Sequence, residues 1–135
     1  MNRKMPQVRE FMTKSPITLA HDTPVQTVEV LFRERGIRHA PVKQGDKLLG
    51  VVSDRNARAA LLSPRGQAFM AADIMIPDPF VVEADTPLDE VAAQMAEEKF
   101  GCAIVKDDDG KLVGIFTTVD ACRALRQLLE EVFPQ

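Results

Sequence analysis

Apolar residues recur at helical spacing in two stretches of the chain, Val25, Val28, Leu31 and Phe32 in one and Leu88, Val91, Ala92 and Met95 in the other. Residues three and four apart share one helix face, so each stretch predicts an amphipathic helix with a single buried stripe. Both open on the same signal, Thr23-Pro24-Val25-Gln26 and Thr86-Pro87-Leu88-Asp89. Thr reads as the cap, Pro as the first helical residue, and Gln or Asp as the polar first turn. Gly36 predicts the end of the first helix; Lys99 stands at that point in the second, where Gly101 is expected to serve. Short strand-like runs flank each helix. Ile17-Thr18-Leu19 and Phe80-Val81-Val82 precede them; residues 39–42 with 48–52, and 102–105 with 112–116, follow. Polar turns at Gln44-Gly45-Asp46 and Asp107-Asp108-Asp109-Gly110 join the later runs into hairpins. A closing helix starts at Ser53 and again at Thr117. Ahead of each first strand, residues 8–12 and 72–75 read as short amphipathic turns, ended by prolines that favour extended chain.

The order strand, helix, strand, strand, helix is therefore written twice. With Met12 laid on Met75, Pro16 falls on Pro79, Asp22-Thr23-Pro24 on Asp85-Thr86-Pro87, and Val42-Lys43 on Val105-Lys106. One extra residue in the Asp107-Asp108-Asp109 turn moves the offset from 63 to 64, after which Gly50 matches Gly114 and Leu61 matches Leu125. Between Met12 and Leu61 there are 16 identities in 50 positions, against ~3 expected by chance at ordinary residue frequencies. The expected fold class is α/β (α+β), each module a three-stranded sheet with helices on one face. The repeats run over residues 8–62 and 72–126, with a linker at 63–71 and a helical tail at 127–135.

Composition narrows the functional classes. The 135 residues carry a net charge of −3, from 17 Lys plus Arg and 20 Asp plus Glu, which argues against a nucleic-acid coating protein. Two cysteines are too few for a disulfide framework, no apolar run is long enough to span a bilayer, and the opening residues lack the apolar core of a secretory signal. A soluble, cytoplasmic protein is expected. There is no Trp and no Tyr, so any aromatic contact to a ligand falls to Phe.

One constellation carries chemistry. Gly50-Val51-Val52-Ser53-Asp54-Arg55-Asn56 and Gly114-Ile115-Phe116-Thr117-Thr118-Val119-Asp120 share a form: Gly, two apolar residues, a hydroxyl, two others, then a carboxamide or carboxylate. The Gly is read as leaving room for a ligand at the strand backbone. The hydroxyl opens a helix, where free N–H groups favour phosphate, and Asp120 lies in the same first turn, able to accept from a ribose cis-diol. The pattern also fits an ordinary helix cap, and the two roles are compatible. Arg38 and His39 form a second feature. They enter a strand that Pro41 marks as an edge, where two basic groups could hold phosphate.

In this order and twice over, Met12 to Thr18, Asp22 to Val25, Gly36 to Val42 and Gly50 to Asn56 resemble a tandem pair of CBS (cystathionine β-synthase) domains, the Bateman module. The resemblance covers residues 8–62 and 72–126. It implies two pseudo-twofold-related β-α-β-β-α modules packed through their sheets, with two equivalent clefts for adenosine-containing ligands such as AMP, ADP or ATP. It implies sensing rather than catalysis, a homodimer, and an effector protein outside this chain. Carried onto the residues, Asp120 would hold ribose and Thr117 phosphate, with Phe80, Val81 and Ala103 lining the base pocket and Arg38 and His39 neutralising phosphate. The other cleft would use Asn56, Ser53, Ile17, Thr18, Ala40 and Pro41. Asn56 departs from the family's ribose Asp, and Gly101-Cys102 from its basic pair, so one competent cleft and one weak or vacant cleft are expected. A scaffold with unoccupied clefts is the alternative.

Other features carry less. Cys102 and Cys122 fall at apolar periodic positions and read as buried structural thiols. Asp107-Asp108-Asp109 lacks the alternating carboxylates and Gly of a calcium loop and reads as a solvated turn. Two distant histidines, His21 and His39, make no zinc site, so no metal and no catalytic cofactor is expected. No phosphate loop supports nucleotide hydrolysis. Apolar residues at 125, 128, 129, 132 and 133 give the tail a stripe suited to a partner or dimer contact.

Overall fold

The computed structural model describes residues 4–135; residues 1–3, with the Arg3 charge of the opening, lie outside them. The elements in chain order are β1 (Thr13–Lys14), β2 (Leu19–Ala20), α1 (Val25–Arg35), β3 (His39–Gln44), β4 (Lys47–Ser53), α2 (Asp54–Leu61) and α3 (Ala71–Ile74). They continue as β5 (Ile76–Pro77), β6 (Val81–Glu83), α4 (Leu88–Glu98), β7 (Cys102–Lys106), β8 (Leu112–Thr117) and α5 (Thr118–Val132). The doubled strand-helix-strand-strand-helix order is present.

The compact units are cut out of step with the sequence repeats. One unit is Ile17–Pro79; the other joins the segment ending at Pro16 to Phe80–Gln135. Each sheet consequently has four strands where three were expected. In the first-repeat unit the order is β2-β3-β4-β5, and in the second-repeat unit β1-β8-β7-β6. The fourth strand comes each time from the segment leading into the other repeat. β1 lies antiparallel on β8, with Thr13 opposite Ile115 and Lys14 opposite Gly114, and β5 lies antiparallel on β4, with Val51 opposite Ile76 and Gly50 opposite Pro77. Both added strands end alike. Ser15 and Asp78, at equivalent positions, take φ of 49° and 50°, a left-handed turn that small polar residues enter at tolerable cost.

These added strands explain the two strand glycines. A Cβ on Gly50 would collide with the Ile76 carbonyl oxygen and approach Met75 Sδ to 2.9 Å; one on Gly114 would run into the Met12 side chain, 2.9 Å from its Cγ. The room at these glycines is taken by the chain's own β5 and Met12, not kept for a ligand.

Three local expectations are corrected. Pro41 does not mark an edge, because β3 sits between β2 and β4. In the other unit the equivalent Ile104 donates its N–H to the Phe80 carbonyl at 2.8 Å. Pro41 has no N–H to give, and β2 pairs only from Val42 onward. The proline is tolerated by shortening its neighbour. Next, Thr23 and Thr86 are not the caps of α1 and α4: Pro24 and Pro87 are, without side-chain cap bonds. Backbone carbonyls do the work instead, Val25 N–H donating to Phe69 O at 3.0 Å and Leu88 N–H to Pro6 O at 2.8 Å. Finally, α4 ends on Lys99 itself, at φ 59°, in the left-handed conformation that Gly36 adopts after α1; Gly101 is not needed.

Each unit has its own core. Leu19, Val25, Val28, Phe32, Val42 and Val52 centre the first. Val8, Leu88, Val91, Met95, Val105 and Phe116 centre the second, where Val8 comes from the leading segment that also supplies β1.

Candidate functional site

The start of α5 concentrates the polar contacts of the second-repeat unit. Thr117 caps the helix and Asp120 completes a reciprocal capping box. Asp120 Oδ2 accepts the Thr117 N–H at 2.9 Å and the Thr117 hydroxyl at 3.1 Å, while the Asp120 N–H donates to Thr117 Oγ1 at 3.3 Å. Two further groups reach the carboxylate. The Thr13 hydroxyl lies 3.0 Å from Oδ1 and 3.2 Å from Oδ2, sharing its one proton between them. Arg123 Nη1 donates to Oδ1 at 3.3 Å. Asp120 is 3% exposed, the only polar or charged residue among the described buried ones, whereas the Arg123 side chain is 73% exposed. A buried carboxylate needs such donors, and four of them fill the acceptor sites it has.

The first-repeat unit repeats the cap but not the charge. Ser53 Oγ accepts the Asn56 N–H at 3.1 Å, and Asn56 Nδ2 donates to the Ile74 carbonyl at 3.2 Å. The position matching Thr13 is Ile76, which brings no hydroxyl. Carboxylate and hydroxyl are thus present together in one unit and absent together in the other.

The expected wall residues divide by exposure. Val81 is exposed and Phe80 half-buried, the Phe80 ring lying 5.1 Å from that of Phe100, tilted by 30°. Phe100 was not anticipated, since it falls between the α4 and β7 patterns and its repeat mate Ile37 is not aromatic. Thr18 is exposed and Ile17 half-buried, but Ala40, Pro41 and Ala103 are sealed in the cores and offer no side-chain surface.

Arg38 is exposed, and its carbonyl accepts the Asp54 N–H at 2.7 Å. His39 is partly buried, and its Nδ1 is the one buried side-chain polar atom without a partner among the described residues. Burial and the adjacent Arg38 charge hold the imidazole below its usual 6.5, with Asp54 opposing them. His39 is therefore neutral at pH 7, and the cationic member of the pair is Arg38. The unfolded chain binds this proton more readily than the folded one, so stability is intact above about pH 6.5 and is lost as the pH falls below it. The urea midpoint is expected to drop from pH 7 to pH 5, and to drop less in His39→Gln; equal slopes for both proteins would contradict the assignment.

Among the remaining groups, Cys102 is buried, which pushes its thiol up to about 12. Cys122 is exposed on α5, a correction to the expectation that both thiols are buried. Asp107 Oδ1 accepts the Asp109 and Lys111 N–H groups at 3.0 and 2.9 Å and so closes its turn. The exposed carboxylates of Glu83, Asp85 and Asp108 come within 4.8 Å of one another. Among the described residues no helix is long and apolar enough to cross a membrane.

The family model of the CBS domain matches this chain twice, over residues 8–63 and 71–127. The chain belongs to the CBS-domain family. A CBS domain-containing protein of Dictyostelium discoideum is 29% identical over 140 residues, covering 95% of this chain and 97% of the relative. Among solved structures, CBSX2 of Arabidopsis thaliana in complex with AMP is 32% identical with a TM-score of 0.78, over 90% of this chain and 97% of that one. The CBS domain pair of protein MJ0100, in complex with 5′-methylthioadenosine and S-adenosyl-L-methionine, is 25% identical with a TM-score of 0.80, over 92% and 98%. Other relatives are matched over 24% of their own length. The fold is that of a tandem CBS pair, as the sequence pattern indicated.

Proposed function

We propose that this CBS pair is a non-catalytic regulatory module that binds one adenine nucleotide, AMP, ADP or ATP, with Asp120 receiving the ribose hydroxyls. The observation that carries the proposal is the buried Asp120 carboxylate at the N-terminus of α5, in the unit that also holds the exposed Val81 and the Phe80–Phe100 pair. The dipole of that helix end suits phosphate, which Thr117 would contact, and the aromatic pair suits a purine. The family resemblance assigns Arg38 and His39 to the phosphate as well. Arg38 is the charged member of that pair, and His39 Nδ1 has no partner among the described residues. Support also comes from relatives solved with AMP and with two other adenosine compounds. The mates Ser53 and Asn56, with Ile17 and Thr18, lack the carboxylate and make the weaker site. Signalling needs only that the ligand prefer one arrangement, a hundredfold preference amounting to ~2.7 kcal/mol.

We further propose a homodimer in the cytoplasm, the latter because both thiols are free, with its output passed to an effector protein. The alternative reading, a scaffold, is favoured by one observation. Leu125, Leu129, Val132 and Phe133 are exposed on α5 and just beyond it, and all but Val132 border, with Cys122, an open groove of about 730 Å³. Thermal melts with AMP, ADP and ATP separate the two. At a hundredfold excess over Kd a bound nucleotide adds ~2.7 kcal/mol of stability, so a rise in Tm with at least one is expected. No rise with any of the three would favour the scaffold.

A further inference from the structure

We infer that Thr13 is a positioning residue for the Asp120 carboxylate, holding it in the plane that two ribose hydroxyls require. The inference rests on the ribose assignment of Asp120 proposed above. The terminal torsion of an Asp side chain is broad and has no sharp preference of its own. In the capping box, Thr117 secures only Oδ2. The Thr13 hydroxyl reaches both oxygens, at 3.0 and 3.2 Å, and a donor shared between them fixes the rotation of the group. Arg123 is the other donor to Oδ1, but it is largely exposed and its bond is 3.3 Å long. Arg123 on Oδ1 and the Thr117 hydroxyl on Oδ2, which would turn to the phosphate, are the partners that two ligand hydroxyls would replace; Thr13 is the one that stays.

The hydroxyl is not explained by the strand it belongs to. β1 and β5 occupy the same register position in their sheets, Thr13 facing Ile115 and Ile76 facing Val51. Ile76 shows that an apolar branched residue sustains that pairing. Nor is the hydroxyl driven inward by burial, since Thr13 is an exposed residue with water available. What distinguishes the two positions is the residue at the start of the following helix. Where a carboxylate stands, a hydroxyl is set across it; where the amide of Asn56 stands, it turns to the Ile74 carbonyl and no hydroxyl is supplied. Fixing an acceptor before the ligand arrives lessens the ordering cost of binding.

Calorimetric titration of the full chain with AMP, 2′-deoxy-AMP and 3′-deoxy-AMP tests this, comparing wild type with Thr13→Ser, Thr13→Val and Thr13→Ile. Wild type is expected to favour AMP over each deoxy nucleotide by about tenfold, as for loss of one charge-assisted hydrogen bond. Thr13→Ser should keep that preference. Thr13→Val and Thr13→Ile should lose most of it while binding the deoxy nucleotides as wild type does, a change in selectivity that general destabilisation would not produce. Undiminished preference in the Val and Ile variants, or tighter AMP binding by them, would overturn the role of Thr13 and leave the ribose assignment standing. Equal binding of all three nucleotides by wild type would overturn the ribose assignment and the inference with it.

Discussion

Asp120→Asn is expected to weaken AMP binding by about ten- to a hundredfold, the loss of charge-assisted hydrogen bonds from two hydroxyls. Asn keeps the size of the side chain. Asn56 at the matching position of the other unit shows that an amide is compatible with the hydroxyl-capped helix start. Fold stability should therefore change much less, by the ~1 kcal/mol of a weakened cap. Titration calorimetry reads the first quantity and urea unfolding the second. A variant that binds AMP as well as wild type would show that the ribose lies elsewhere. A variant whose binding loss merely tracked a loss of folding would show that Asp120 serves the helix cap alone. Arg123→Ala, which removes an exposed partner of the same carboxylate, should leave the fold nearly unchanged.

The second large effect is structural. Gly50→Ala is expected to cost about 2–4 kcal/mol and Gly114→Ala about 1–2 kcal/mol, both in the range for overpacked or strained sites. The difference follows from what each new methyl meets. At Gly50 it meets the Ile76 carbonyl, which is backbone held in the β4–β5 pairing, so strands must separate. At Gly114 it meets only Met12, whose flexible thioether chain can swing aside. Urea midpoints of the two variants give the comparison directly. A Gly50→Ala variant no less stable than Gly114→Ala would mean that β5 is not anchored where it lies.

Much of this fold is legible from residue spacing. The two helical stripes, the hairpin turns at Gly45 and Gly110, and the hydroxyl caps Ser53 and Thr117 all follow from local chemistry, and local chemistry is what a linear pattern records. The exchanged edge strands do not follow from it. β1 and β5 have two residues each, too short for any periodicity, and their partners are far away in the chain. That gap also misdirected the glycines: a Gly in a strand signals close approach, but the approaching group is Ile76 or Met12 and not a ligand. Pro41 misled in the same way. Its missing donor had to be accommodated somewhere, and a shortened neighbour served as well as an edge.

The site was legible to the same degree. Thr117 and Asp120 stood out because their spacing is a helix-start signal. Thr13 did not, because its contact crosses 107 positions of sequence and a lone Thr before Lys14 reads as surface. The only signal lay in the comparison of repeats, where Thr13 and Asp120 change together to Ile76 and Asn56. Phe100 was hidden by the same comparison, since its mate Ile37 carries no ring.

Calorimetric titration of the purified chain with AMP, ADP and ATP tests the central claim most directly. The expected result is saturable binding of at least one of the three at one strong site per chain, with any second site much weaker for want of a carboxylate at Asn56. Two sites of equal strength, or no binding of any of the three, would contradict it.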